Sequence, residues 1–238
     1  MTTSSQVIRL NLGISKVYLL KQKSGYLMID TGYFYDYSKF QEGLRENHIN
    51  GQEIQYLFLT HHHDDHAGFA QKMKADYGVK LILHEKAIEF LRKGESDTSG
   101  TIKPLNRRTA MIMNTFMLFH KKFKFPSVKI DKSDIVVRGN NSTIMREIGI
   151  NGDILYTPGH TPDSISLCMD NGDVFCGDVA MNFMKIAGTQ FRPIYVNDIN
   201  DVYKSWKKIL EKGAKTIYPT HGNSFPARKL NDKLQKYG

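Results

Sequence analysis

Cysteine is scarce in this chain, with only Cys168 and Cys176 among 238 residues. Two thiols cannot build the dense disulfide framework of many small secreted domains. They flank Asn171-Gly172, a dipeptide that signals a two-residue hairpin turn. Such a turn sets Cys168 opposite Phe175 and Leu167 opposite Cys176. Alternation along a strand then points the thiols to opposite faces. No disulfide is expected between them, and both read as small buried hydrophobes.

Long apolar runs are missing as well. The most apolar stretch, Ala110 to Phe119, is interrupted by Asn114 and Thr115 and is too short to span a bilayer. Met1 to Gly13 is polar and lacks the apolar segment of a signal peptide. Low-complexity tracts and fixed-period repeats are absent. Apolar residues at 40% and charged residues at 24% match an ordinary globular protein. The expectation is one soluble, cytoplasmic domain over residues 1–238 with no membrane span. The formal net charge is +9, which suits nucleic acid, an anionic substrate or plain solubility. The lysines are scattered and no nucleic-acid motif accompanies them, so they read as a solvated basic surface rather than a nucleic-acid site. The expected partner is a small-molecule substrate, and a homodimer stays open.

Short apolar runs at Val17–Leu20 and Tyr26–Ile29, joined by Lys21–Gly25, read as a hairpin. Tyr37, Phe40 and Leu44 recur at helical spacing up to about His48. Ile54–Leu59 reads as a buried strand, followed by a helix through Phe69, Met73 and Tyr77 that Gly78 closes. Val79–Leu83 is a further strand. From about residue 85 to 130 the character changes, with a turn-rich part and a Met- and Phe-rich helical part from Thr109 to Lys122, and the segment reads as a helical insertion. Strands are expected near Ile135–Val137, Thr143–Ile150 and Ile154–Tyr156, then the hairpin Ile165–Asp178. A helix over Asp201–Glu211 stops at Gly213. A last strand at Ile217-Tyr218 leads to His221.

Six of the nine histidines fall in three short motifs: Thr60-His61-His62-His63-Asp64-Asp65-His66, Thr157-Pro158-Gly159-His160-Thr161-Pro162 and Pro219-Thr220-His221-Gly222. Cys176-Gly177-Asp178 lies between the last two. Each candidate follows an apolar strand, where rigid scaffolds place functional groups. In an extended loop His61, His63 and Asp65 face one way, and His66 begins the next turn. Imidazole and carboxylate are the usual zinc ligands, and catalytic sites keep a position open. Lone histidines such as His48, His84 and His120 read as surface or supporting residues. Four histidines within six positions are a different matter, because burying them without a partner is costly.

The motif Thr60–Gly68 resembles the T-H-x-H-x-D-H signature of the metallo-β-lactamase superfamily. Asp30-Thr31-Gly32, the His160 motif, Gly177-Asp178 and the His221 motif match its remaining signatures in order. The resemblance covers nearly the whole chain and implies an α/β fold, an αββα sandwich of two mixed sheets flanked by helices. It implies that His61, His63 and His160 hold one metal, that Asp65, His66 and His221 hold a second, and that Asp178 bridges them. His62 and Asp64 fall at variable positions, and Asp30 would orient a ligating histidine. The cofactors implied are two divalent ions, with Zn first and Mn, Fe or Co as competitors.

Within the superfamily, Asp178 at the bridging position departs from the best-known zinc β-lactamases, and His63 departs from the di-iron flavoproteins. A dinuclear hydrolase of the glyoxalase II or lactonase kind fits better. Met181 stands where N-acyl-homoserine lactonases have a tyrosine, and the residues after His221 are too few for the helical C-terminal domain of glyoxalase II. The large inserted domain of the nuclease branch has no room. The expected reaction is attack of an activated water on an ester, thioester or lactone, with Asp65 and Asp178 as the catalytic carboxylates. A phosphodiesterase, a mononuclear-iron sulfur dioxygenase and a non-catalytic metal-binding or signalling protein are the alternatives. The segment rich in Met111, Met113, Phe116, Met117 and Phe119 either caps the cleft or packs on the core.

Overall fold

The computed structural model describes residues 7–22, 24–97, 101–117 and 123–237, without the side chains of 116 and 117. Strands β1 (Val7–Asn11), β2 (Lys16–Gln22) and β3 (Gly25–Ile29) form an antiparallel meander. Helix α1 (Tyr37–Glu46) carries the chain to β4 (Ile54–Phe58). Helices α2 (Asp64–Ala67) and α3 (Ala70–Tyr77) carry it on to β5 (Lys80–His84). After α4 (Ile88–Lys93), β6 (Lys103–Pro104) and α5 (Arg107–Met117), strand β7 (Ile135–Val137) completes the first sheet. Its order is β1-β2-β3-β4-β5-β7, parallel from β3 onward. Parallel neighbours need long crossovers, and the helices supply them.

The second half begins with α6 (Ile144–Glu147), then β8 (Gly152–Tyr156), β9 (Ile165–Met169) and β10 (Asp173–Gly177). Strand β11 (Tyr195–Val196) pairs with β6. Helix α7 (Ile199–Glu211) crosses to β12 (Thr216–Pro219), which is followed by β13 (Phe225–Pro226) and α8 (Arg228–Tyr237). The second sheet runs β13-β12-β10-β9-β8.

Three cores separate four layers. Strand β2 shows how one sequence serves two of them. Val17 and Leu19 face Phe40, Phe69 and Met73 of the first helical layer, whereas Tyr18 and Leu20 face the other sheet. A strand buried on both faces must be apolar at consecutive positions, as Val17–Leu20 is. Between the sheets, Phe58, Ile82, Ile154, Leu167 and Phe175 meet. Beyond the second sheet, Cys168, Val174 and Ile217 pack against Val202, Trp206, Ile209 and Leu230 of α7 and α8. This is the αββα sandwich. Among the described residues no helix is long and apolar enough to cross a membrane.

Two local expectations are corrected. The hairpin pairs Val174 with Cys168 and Phe175 with Leu167, one step from the register of a two-residue turn. The connection is the three-residue loop Asp170-Asn171-Gly172, closed by the Gly172 N–H donating to the Met169 carbonyl at 2.9 Å with Gly172 at φ 94°. A one-residue shift reverses the face of every side chain on a strand. Both thiols therefore lie on one face, in the core beneath α7, and both are free. The segment Thr143–Ile150, expected as a strand, contains α6 instead. The Asn141 carboxamide accepts the N–H groups of Thr143 and Ile144 at 3.0 and 2.8 Å, which starts a helical turn. Gly149, at φ 84°, ends it.

Strand β1 and helix α8 carried no strong apolar run. Helix α8 is anchored by Leu230 and Leu234, one turn apart in an otherwise charged segment. Within 85–130, Leu91, Phe125 and Val128 pack into the first core. Phe119 and Lys122, part of the expected helix, lie outside the described residues, as do the side chains of Phe116 and Met117.

Trp206 is fully buried on α7, and its indole N–H donates to the Val179 carbonyl at 2.7 Å, one residue beyond Asp178. Trp206→Ala should lower the unfolding free energy by about 3–5 kcal/mol through the cavity it leaves. Urea unfolding measures this, and a loss below ~1 kcal/mol would contradict the packing described.

Candidate metal centre

Five strand ends of the sandwich deliver the polar groups. Beyond β4, Thr60 leads into His61 and His63, and α2 starts at Asp64, so Asp65 and His66 lie on its first turn. Beyond β3 comes Asp30, at φ 56°, a left-handed conformation that aspartate tolerates better than most residues. Beyond β8 the chain turns through Gly159, at φ 133°, to His160. A Cβ on Gly159 would collide with the backbone of Val202 on α7, so glycine lets this loop sit down on that helix. Ser205 of α7 secures the loop by donating to the Pro158 carbonyl at 2.7 Å. At the end of β10, Gly177 at φ 53° presses against Thr60, and Asp178 follows. Strand β12 ends at Pro219, two residues before His221.

All seven expected ligands converge. The Nε2 of His160 is 3.2 Å from both His61 Nε2 and His63 Nδ1. The Nε2 of His221 is 3.0 Å from Asp65 Oδ2 and 3.4 Å from Asp178 Oδ2. His66 Nε2 is 3.5 Å from Asp178 Oδ1 and 3.8 Å from Asp65 Oδ1. Asp178 Oδ2 also approaches His160 Nε2 at 3.8 Å, so this carboxylate stands between two clusters. Three donor groups could each hold an ion: His61 with His63 and His160, His61 with His66 and Asp178, and Asp65 with His66 and His221.

The orientation of the rings is set from behind. His66 Nδ1 donates to Asp30 Oδ2 at 2.8 Å, His160 Nδ1 to the Tyr195 carbonyl at 2.8 Å, and His221 Nδ1 to the Ile14 carbonyl at 3.0 Å. Each Nε2 is thereby aimed into the centre, as in metal-binding histidines generally. Two observations test the fit to metal. Among the described residues, the buried His66 Nε2 and Asp178 Oδ1 face each other at 3.5 Å and have no hydrogen-bond partner, which native proteins rarely tolerate. Ligand atoms of a tetrahedral ion with bonds of 2.0–2.1 Å stand roughly 3.3 Å apart, close to the spacing at His160. The donor set fits a divalent metal.

The electrostatics divide the histidines. Burial, then the neighbouring imidazoles, hold His61 and His63 well below the usual histidine range. Burial also lowers His160. For His66 and His221 burial pulls downward, but the surrounding carboxylates win. Asp178, Asp30 and Asp65 raise His66 well above its usual range, and Asp178 with Asp65 pushes His221 up to about 10. Burial opposes ionisation of Asp178, yet His221 and His66 hold it well below the usual carboxylate range.

His62 is buried but turned away from this centre. Its Nδ1 donates to Asp163 Oδ1 at 2.9 Å, its ring stacks on Phe90 with centroids 4.1 Å apart, and its Nε2 accepts the Asp97 N–H at 3.2 Å. It thus ties the ligand loop to α4 and the segment after it. Asp163 is a residue that motif reading passed over, although it stands directly after Thr161-Pro162. Thr60 and Thr220 were present in the motifs but carried no role, and both donate to Asp30 Oδ2, at 2.7 and 3.0 Å.

The centre forms the floor of a cleft of about 420 Å³. Its walls are mostly apolar, built by Ile102, Ile112, Met113, Phe123, Met181, Phe183, Met184 and Ile194 with Ile14, Tyr33 and Tyr195, and Asp64, Ser96 and Asp97 add polar groups to them. Among the described residues the lining contains no Lys or Arg. Met111 points outward and is 68% exposed, whereas the next two residues of α5 face the cleft.

A family model of the metallo-beta-lactamase superfamily matches residues 10–221, and the chain belongs to that superfamily. The family consists largely of metallo-hydrolases and binds divalent metals. A beta-lactamase-like protein 2 homolog of Drosophila melanogaster is 28% identical over 212 residues, which are 88% of this chain and 59% of that protein. The chain thus spans well under two thirds of that relative's length. A probable metallo-hydrolase of Methanocaldococcus jannaschii is 24% identical over 212 residues, covering 87% of each chain. Among solved structures, an archaeal metallo-beta-lactamase superfamily protein from Sulfolobus tokodaii superposes with a TM-score of 0.66 at 18% identity, over 98% of this chain and 86% of that one. That likeness shows the fold.

Asp30→Ala should remove the acceptor that holds His66 and weaken metal retention by roughly 10–100-fold, the usual effect of losing an outer partner. Competition with a chelator of known affinity measures this. Unchanged retention would mean that Asp30 does not orient His66.

Proposed function

We propose that this chain is a dinuclear metal-dependent hydrolase of neutral acyl substrates, an ester, thioester or lactone with an apolar acyl part. The convergence of seven ligating groups at the floor of an apolar cleft carries the reading. His61, His63 and His160 would hold one ion, Asp65, His66 and His221 the other, with Asp178 shared, on one domain spanning residues 1–238. Zinc is the first candidate, with Mn, Fe or Co competing according to supply. Metals held there would supply a water acidic enough to attack at neutral pH and Lewis-acid polarisation of the carbonyl.

The chain's own groups do the rest. Asp65, 3.0 Å from His221 and partly open to the cleft, would take the proton of the attacking water. Asp178 joins the two ligand sets and fixes their separation. His66, His160 and His221 cannot swing, because their Nδ1 atoms are tied to Asp30, Tyr195 and Ile14. Apolar walls lower the local dielectric and strengthen charge interactions at the floor. They also suit an acyl chain, and among the described residues they offer no Lys or Arg to a phosphate or carboxylate, which favours acyl hydrolysis over phosphodiester cleavage. We read the 85–130 segment as a helical insertion that supplies one wall of this cleft through Ile112 and Met113.

Metal analysis of the native protein should find two zinc per chain, and a panel of esters, thioesters, lactones and phosphodiesters should show turnover on the acyl substrates. Asp178→Ala should lower that turnover by ~100-fold or more together with bound metal. Full activity in this variant, or a single iron per chain with oxygen-dependent turnover, would overturn the proposal. Met113→Ala should raise KM roughly 5–30-fold for medium-chain acyl esters, corresponding to about 1–2 kcal/mol of lost apolar contact, and leave acetyl esters unaffected. Equal effects on both chain lengths would remove Met113 from the acyl site.

A further inference from the structure

Large apolar side chains seldom lie open to water in a cluster without a purpose. Six are exposed among the described residues: Ile14 at 43%, Phe34 at 49%, Tyr35 at 67%, Met111 at 68%, Val136 at 38% and Ile186 at 89%. Five of them stand on or directly beside chain segments that line the cleft. Ile14 lines the cleft itself, Phe34 and Tyr35 directly follow the lining residue Tyr33, Met111 precedes Ile112 on α5, and Ile186 lies two residues beyond Met184. They come from separate segments of the fold, so no single apolar stretch of sequence accounts for them. Tyr33 and Tyr35 stack with centroids 5.1 Å apart, which holds Tyr35 in place at the rim.

Basic residues accompany this rim. Arg107 and Arg108 are exposed one helical turn before Met111 and so share its side of α5. Lys185 adjoins Ile186. The whole chain carries a formal net charge of +9. An apolar ring with cations beside it has the chemistry of a surface that enters the headgroup layer of an anionic bilayer.

We infer that the cleft mouth docks on an anionic lipid surface through Ile186, Tyr35, Phe34 and Met111, and draws an acyl substrate from that surface into the cleft. The substrate part of this inference rests on the acyl-hydrolase reading above, whereas the docking part does not. Two considerations choose the lipid surface over a second copy of the chain. A copy seated on the rim would close the entrance to the cleft, while a fluid bilayer delivers substrate through it. Two copies at +9 also repel each other, and an anionic bilayer attracts both.

The test uses the zinc-loaded full chain and cosedimentation with vesicles of phosphatidylcholine, with and without a minority of phosphatidylglycerol. Binding is expected to the anionic vesicles and to weaken with salt. Ile186→Asp and Tyr35→Asp should each lower the partition coefficient at least tenfold. Val136→Asp makes the same charge change at an exposed apolar residue on β7, a strand that lends no residue to the cleft lining, and should lower it less than twofold. Turnover of a short water-soluble ester should be the same in all four proteins. Equal losses from all three variants would reduce binding to net charge and overturn the docking face. So would absence of binding to anionic vesicles at low salt, or a dimer in light scattering that Ile186→Asp dissociates. Vesicle binding with the expected variant pattern but no turnover of any acyl ester would leave the docking surface standing and overturn the hydrolase reading alone.

Discussion

Asp30 is fully buried, and a buried carboxylate must be surrounded by donors or the fold cannot afford its charge. It accepts from the Thr60 N–H and hydroxyl at 2.7 Å each, from His66 Nδ1 at 2.8 Å and from the Thr220 hydroxyl at 3.0 Å. Thr60 and Thr220 lie just beyond β4 and β12 and His66 lies on α2, so one side chain joins the two sheets where the candidate ligands emerge. The first sheet delivers His61, His63, Asp65 and His66, and the second delivers His160, Asp178 and His221. The geometry of the centre depends on these two groups being held in register, and Asp30 is a buried hydrogen-bonded tie between them, beside the His62–Asp163 pair. Close contact of Gly177 with Thr60 supports the same junction, since any larger residue there would push the sheets' ends apart.

The centre built on that junction is polarised. His61, His63 and His160 favour the neutral, electron-pair-donating state because burial and mutual repulsion penalise charge. His66 and His221 sit among Asp30, Asp65 and Asp178, which compensate positive charge. A neutral imidazole set beside a carboxylate-rich set gives two adjoining sites of different charge. Around them the cleft is apolar, so the charged floor and the greasy walls act on different parts of one ligand. Exposed apolar residues, Tyr35, Met111 and Ile186, stand next in sequence to segments that line it.

Much of this could be read from the chain. Strand ends carrying His61, His160, Asp178 and His221 were visible as apolar runs followed by motif residues, because burial on both faces demands unbroken apolar sequence. The hairpin register at Asn171-Gly172 was not legible. Two- and three-residue loops share the same Asn-Gly signal, and one added residue moved both thiols to the same face. Helix α6 looked like a strand because Asn141, which accepts the N–H groups that open it, lies outside the apolar pattern of Thr143–Ile150. Asp163 escaped notice because its partner His62, 101 positions earlier, is unrelated to it in local sequence.

By itself the sequence determined which groups the centre contains and that each would stand at a strand end. Those properties are local: residue identity, apolar periodicity and a turn residue such as Gly159 or Gly177. Only the tertiary structure decided how closely the groups approach, which imidazoles are held neutral, and that α5 and the residues around Met184 wall the cleft. Distances, desolvation and cleft shape arise from contacts between segments far apart in the chain, and no short stretch of sequence contains both partners of such a contact.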